Sequence, residues 1–303
     1  MDTERAPRSF LDSAVLARLA AVPLLARRPM IGGVSGRHES PHRGSSVEFA
    51  EYRKYVPGDD LRRLDWRVWG RTDRHYVKEY EADTNLRLCL VVDTSGSMGY
   101  GSTGVTRLDY ARRLAGSLAF LACRQGDAVG VSCAAETVVR HLPPRRNPSH
   151  LRLVFDALEE TRPAGSSALP RILHELAETV AHRALVVVIS DLFVDPDELA
   201  RALGHLRFRR HDVAVFHLLD PREIAFDFRR PTRFVDLEGG PALFADPLDI
   251  GDRYRRALNE WLAALRATAL EQAIDYRRVG LDEDYEKVLA GFLAARASGR
   301  GKR

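Results

Sequence analysis

Four short stretches constrain what this chain can fold into: "LRLCLVVD" at 86–93, "DAVGVSCA" at 127–134, "ALVVVISD" at 184–191 and "DVAVFHLL" at 212–219. Each is nearly continuous in apolar residues and short, the pattern of a strand buried on both faces. Segments with helical periodicity separate them, at 107–125, 149–161, 169–182 and 196–209. The last opens "DPDELARAL", with acids and a proline where a helix N-terminus prefers them. Strand and helix in alternation predict an α/β fold: a doubly wound, mostly parallel sheet flanked by helices. Shorter β segments are expected at 137–142 and near 232–237, and two closing helices near 250–275 and 282–297.

The first quarter of the chain follows a different pattern. "AVLARLAAVPLLAR" at 13–26 predicts a short helix interrupted at Pro23, and "GGVSGRHESPHRGSS" predicts an exposed loop. The segment "VEFAEYRKYVPGDDLRRLDWRVWGRTDRHYVKEYEAD" is dense in aromatic and charged residues. It predicts a strand near 47–55, a turn at "PGDD", a short helical turn and a strand near 75–82. Three parts follow: an N-terminal helix, loop and arginine–aromatic β segment over 1–84, an α/β domain over 85–240, and C-terminal helices with a basic tail over 241–303.

Charge and cysteine content narrow the function classes. Residues 1–80 hold 15 Lys and Arg against 11 Asp and Glu, whereas the other 223 residues hold 31 of each, so the net excess is confined to the N-terminal quarter. Only four residues are lysine, and arginine suits forked contacts with carboxylate or phosphate. Cys89, Cys123 and Cys133 are widely spaced in apolar patterns and read as reduced, buried thiols. No apolar run reaches the roughly 18–20 residues of a membrane helix, and the arginines follow "LAAVPLLARR" instead of preceding it as in a secretory signal. A cytoplasmic location is expected, peripheral to a membrane at most through partners.

The chemistry concentrates at the strand ends. In an open α/β sheet, ligands bind beyond the carboxyl ends of the strands. The first strong strand ends in Asp93, and Ser95 and Ser97 complete D-x-S-x-S; alternation in the loop turns the three side chains one way. A second strand ends in Asp191, and the loop "RPAGSSALP" offers Ser166 and Ser167. Hard oxygen donors from three segments suit Mg²⁺, with Mn²⁺ or Ca²⁺ as alternatives. Two carboxylates offset the ion, while neutral hydroxyls leave it electrophilic toward one more anionic oxygen, such as a partner's Asp or Glu.

D-T-S-G-S, the G-S-S loop and the strand-end S-D resemble the metal-ion-dependent adhesion site of von Willebrand factor A domains, and residues 86 to about 240 resemble that fold throughout. The upstream "FAEYRKYVPGDDLRRLDWRVWGRT" is similar to the signature of a bacterial family, domain of unknown function 58, whose members carry such a domain. The resemblance implies that Ser95 and Ser97 coordinate the metal directly, that Asp93 acts through water or a hydrogen bond, and that Asp191 plays the second acidic role. The third-loop ligand in such sites is usually threonine; here Ser167 stands there, followed by Ala168, keeping the hydroxyl but losing the methyl that helps fix its rotamer. The resemblance also implies a MoxR-type AAA+ ATPase as partner, with this chain as adaptor or co-chaperone.

Other readings compete. Asp93 and Ser95 can form a plain Asx-turn, or the loop can hold a phosphate. "GYGSTG" at 99–104 matches G-x-G-x-x-G but starts six residues beyond the strand-end aspartate, so it is expected to be a mobile loop, not a dinucleotide site. A metal-dependent hydrolase using the same acids is the alternative from another class, although no G-x-S-x-G elbow occurs and His217 lies inside an apolar strand. Arginine interleaved with Tyr and Trp around 53–74 fits nucleic acid, but Asp59, Asp60, Asp65 and Asp73 are mixed in, favouring local ion pairs or a protein-contact surface. The closing helices are expected to pack on the sheet through Trp261, Leu262 and Leu265.

Overall fold

A computed structural model describes residues 8–26, 48–54, 76–81 and 86–298. Contacts divide the chain into two units, residues 1–29 with 86–303, and residues 30–85. In the smaller unit β1 (Glu48–Lys54) pairs antiparallel with β2 (Tyr76–Glu81), with an irregular register between Phe49 and Glu51. The turn at "PGDD", the loop at 32–46, most of the arginine–aromatic segment and the "SGRGKR" tail beyond Ser298 lie outside the described residues.

The larger unit is a doubly wound α/β sandwich. In chain order its elements are α1 (Ser13–Leu19), β3 (Arg87–Asp93), α2 (Arg107–Arg124), β4 (Ala128–Ala134), β5 (Val138–Arg145), α3 (Pro148–Glu160), α4 (Leu169–Thr179) and β6 (Leu185–Ser190). There follow α5 (Pro196–Phe208), β7 (Asp212–Leu219), α6 (Pro221–Ala225), β8 (Thr232–Phe234), β9 (Leu243–Ala245), α7 (Pro247–Glu271), β10 (Asp275–Gly280) and α8 (Tyr285–Ser298). Six strands form one sheet in the order β10-β7-β6-β3-β4-β5, parallel except for β5. Every residue of β4, β6 and β7 is buried, which is why the apolar runs are continuous instead of alternating. The chain winds outward from β3 in one direction through β4 and β5, then returns to β6 on its other side. Strand order therefore reverses between β3 and β6, and a crevice opens there above the carboxyl ends.

Local chemistry fixes the helix starts. The Thr106 hydroxyl accepts from the Asp109 N–H to cap α2, and Asp195 caps α5 by accepting from the N–H groups of Asp197 and Glu198. The N-terminal segment packs on the same unit: Phe10, Val15, Leu16, Leu19 and Leu24 are buried, and the Phe10 ring lies 2.8 Å from where a Cβ on Gly116 would sit. Where the sequence reading sets 1–84 and 241–303 apart, the contacts group residues 8–26 and 241–298 with the sheet. The segment 275–280, not anticipated as a strand, pairs parallel with β7 at the sheet edge, between the two closing helices.

Two buried histidines set an acid limit on this unit. His211 accepts from the Ala184 N–H through Nδ1, and His217 Nδ1 pairs with the Tyr276 hydroxyl at 2.7 Å. Burial, reinforced by nearby arginines, lowers His211 from 6.5 to about 4. Burial likewise lowers His217 from 6.5 to about 3. Below about pH 6.5 the unfolded chain takes up protons that the fold refuses, so stability is lost as pH falls through that window. The buried carboxyls of Asp93 and Asp191, raised in the fold, take up protons over the same range and offset part of this loss. Urea titrations at pH 7.5 and 4.5 are therefore expected to differ by roughly 1–3 kcal/mol, with His211→Gln reducing the loss. Equal stability at both pH values, or an unaltered slope in that variant, would count against the assignment.

Candidate metal centre

The β3 strand delivers Asp93 to the switch-point crevice and the chain then turns sharply. Asp93 Oδ1 accepts from the Ser95 N–H at 2.9 Å, so the Asx-turn of the plain structural reading is present. It does not exhaust the carboxylate. Oδ2 accepts from the Ser190 hydroxyl at 2.7 Å and the Ser167 hydroxyl at 3.1 Å, so three donors from three segments hold one buried group. Ser95 Oγ and Ser97 Oγ lie 3.1 Å apart at the start of a 3-10 turn over Gly96–Gly99. Asp93, Ser95 and Asp191 are buried, Ser97 and Ser167 half-buried, and Ser166 is exposed, leaving Ser167 as the inward hydroxyl of its loop.

Asp191 follows β6 and is 1 % exposed. Its Oδ1 accepts from the Phe193 N–H at 3.4 Å. Its Oδ2 lies 3.4 Å from Arg107 Nη1, an ion pair without hydrogen-bond geometry, so that oxygen has no hydrogen-bond donor. Arg107, the first residue of α2, was not singled out from the sequence. Its guanidinium donates to the Ser97 carbonyl at 2.7 Å and to Glu223, and lies 5.3 Å from the Tyr100 ring centre and 5.5 Å from that of Phe193. Ser190, quoted in the strand-end S-D, was given no role of its own. It both donates to Asp93 and accepts from the Leu192 N–H.

Burial raises both acids. Asp93 is pushed up by desolvation, opposed by the Ser95, Ser190 and Ser167 donors. Asp191 is pushed up by desolvation against the Arg107 charge, with Asp93 adding repulsion. Two buried carboxylates are ionised at low cost only beside positive charge, part of which Arg107 supplies to Asp191. Among the described residues no three of Asp, Glu, His and Cys group to hold an ion, so hydroxyls have to complete any donor set here. Two carboxylates with three serine hydroxyls match a hard divalent ion that keeps some waters. Asp93, already fully bonded, fits an indirect role; Ser95, Ser97 and Asp191 Oδ2 are the better-placed direct donors.

The glycine loop is tied to its surroundings at two points. Ser102 donates to both Asp220 oxygens, through N at 2.7 Å and Oγ at 2.6 Å, and Arg107 N donates to the Tyr100 carbonyl at 2.9 Å. The loop is anchored, and β3 ends at Asp93 while α2 begins at Arg107, so no strand–glycine–helix phosphate cradle forms.

A protein-family model described as "Protein of unknown function DUF58" matches residues 51–266. Uncharacterized proteins of Mycobacterium bovis and Mycobacterium tuberculosis are each 29% identical over 293 residues, covering 95% of this chain and 92% of theirs. Among solved structures, the conserved hypothetical protein BatB of Bacteroides thetaiotaomicron aligns with a TM-score of 0.49 at 17% identity, covering 70% of this chain and 99% of that one. The SpRpn10 VWA domain aligns with a TM-score of 0.41 at 12% identity, covering 68% of this chain and 94% of that one.

Proposed function

The chain belongs to the DUF58 family, and we propose that it is a non-enzymatic protein-binding module that engages an acidic side chain of its partner through Mg²⁺ held at the β3–β6 crevice. One observation carries this reading: Asp93, Ser95 and Ser97 of one loop meet Ser167 and Asp191 from two other segments at the switch point, with hydroxyls outnumbering carboxylates. When bound, the ion would supply a Lewis-acidic position for an outside carboxylate. Arg107 divides its charge between Asp191 and Glu223, so Asp191 offers the ion less than a full negative charge. That leaves the site receptive to an anionic ligand from outside.

A hydrolase built on the same acids lacks support from the geometry. The imidazole opposite Ser190 in the sheet register, His217, turns instead toward Tyr276 and the Trp261 ring. Among the described residues, no helix is long and apolar enough to cross a membrane.

The proposed partner is a MoxR-type AAA+ ATPase, with this chain acting as adaptor or co-chaperone in the cytoplasm. A native pull-down compares wild type in Mg²⁺, wild type in EDTA and Asp93→Ala in Mg²⁺. Retention of an AAA+ ATPase by metal-loaded wild type alone is the expected result. The same proteins in all three lanes would reduce the cluster to a structural turn and move attention to the arginine-rich N-terminal segment. Turnover of a phosphoester or peptide, lost in Asp191→Asn, would instead establish the hydrolase.

A further inference from the structure

The β8–β9 hairpin has no part in the site described so far, yet its tip lies across it. A Cβ built on Gly96 would stand 2.0 Å from the Leu237 carbonyl oxygen and 3.3 Å from that of Gly165. Glycine between Ser95 and Ser97 is thus what lets the hairpin backbone pass directly over the D-T-S-G-S turn. The next residue, Glu238, accepts from the Ser167 N–H through Oε2 at 3.1 Å, while the Ser167 hydroxyl holds Asp93. Glu238 Oε1 is buried and has no hydrogen-bond donor, the same condition as Asp191 Oδ2. Both are buried acceptors without a hydrogen-bond donor, Asp191 Oδ2 facing Arg107 at 3.4 Å, and a cation relieves that condition.

The tip is shaped to present this side chain. Asp236 Oδ1 accepts from the Glu238 N–H at 2.8 Å, Gly239 has φ +94, and a Cβ on Gly240 would meet Asp236 Oδ2 at 2.1 Å. Its anchorage is slight. The hairpin is three residues per strand, and Val235, Leu243 and Phe244 are 60%, 59% and 72% exposed. Phe234 holds the base of the hairpin through ring contacts with Phe226 at 5.8 Å and Phe228 at 5.4 Å, so displacement is confined to the tip.

We propose that Glu238 is the chain's own acidic ligand at this site, filling the place where an outside carboxylate docks, so that a partner's Asp or Glu must displace the hairpin tip. The proposal rests on the cation-site reading above. It assigns Glu238 two opposed effects: it strengthens cation binding by the free chain and weakens capture of an added carboxylate.

Mn²⁺ is the probe, added to the full-length wild type, Glu238→Gln and Asp93→Asn. Equilibrium dialysis gives affinity, water-proton relaxation reports water on the bound ion, and hydrogen exchange follows residues 235–240. Glu238→Gln is expected to bind Mn²⁺ about tenfold more weakly. Its bound ion should relax water more strongly, because one position passes from carboxylate to exchanging water. Added acetate should suppress that gain in the variant and do little to wild type. Mn²⁺ should slow exchange at the hairpin tip in wild type only. Equal affinity, relaxation and exchange in wild type and Glu238→Gln, with Asp93→Asn defective, would overturn the role of Glu238 and leave the cation site standing. No Mn²⁺ binding by any of the three would overturn both.

Discussion

Arg107→Met is expected to cost about 3–5 kcal/mol of folding stability, the usual consequence of removing one partner of a buried ion pair. The side chain of Arg107 is 2% exposed and that of Asp191 1%, so the aspartate left behind cannot recover its charge interaction from water. The loss is electrostatic before it is steric, since methionine replaces most of the apolar stem. Two further contacts disappear with the guanidinium: the donation to the Ser97 carbonyl, which fixes the D-T-S-G-S turn, and the pairing with Glu223. Combining Arg107→Met with Asp191→Asn should therefore restore roughly half of the deficit, because the orphaned charge is gone while the turn still lacks its donor. Urea unfolding of both single variants and the double variant measures this directly. Strict additivity, or a loss under about 1 kcal/mol in the first variant, would show that Asp191 and Arg107 are not coupled.

Arg107 also shows where sequence reading reaches its limit. The strands β3, β4, β6 and β7 were legible because burial on both faces leaves a signal in consecutive residues. β10 was not, because "DYRRVG" is an edge strand whose only fully buried side chain is Val279. Asp93 and Asp191 stood out as acids ending apolar runs, and Ser167 was reachable from its glycine loop. Ser190 carried a faint signal, a lone hydroxyl in an apolar strand. Arg107 carried none, since an arginine opening a helix is ordinarily solvated and only the fold drives it 1% exposed between two aromatic rings. Glu238 lay equally hidden: its link to Ser167 spans 71 residues and depends on the missing side chain of Gly96. Periodicity encodes burial within an element, whereas pairings across the sheet become visible only once the elements are placed.

The second large effect is expected far from the crevice, at Arg296→Met. This arginine on α8 has a side chain 0% exposed and binds Asp212 at the start of β7. It reaches Asp275 at the start of β10 at 2.9 Å and the Leu25 carbonyl at 2.7 Å, with its guanidinium 5.2 Å from the Phe292 ring centre. One side chain thereby joins the last helix, two neighbouring strands and the N-terminal segment. Its removal takes from Asp212, whose side chain is 3% exposed, the guanidinium that binds it inside the fold, and the expected loss is again about 3–5 kcal/mol. Arg296→Lys should fall between wild type and Arg296→Met, because an ammonium keeps the charge but cannot fork toward two carboxylates and a carbonyl at once. Arg18 offers the contrast. It pairs with Glu286 on the same helix at 2.6 Å, but with its side chain 58% exposed, so solvent already screens both charges. Arg18→Ala is expected to leave the urea midpoint nearly unmoved. If the two alanine-or-methionine variants shifted the midpoint equally, burial would not be what gives Arg296 its weight. The joining of α8 to the sheet would then have to come from its buried apolar side chains, Val288, Leu289, Phe292 and Leu293.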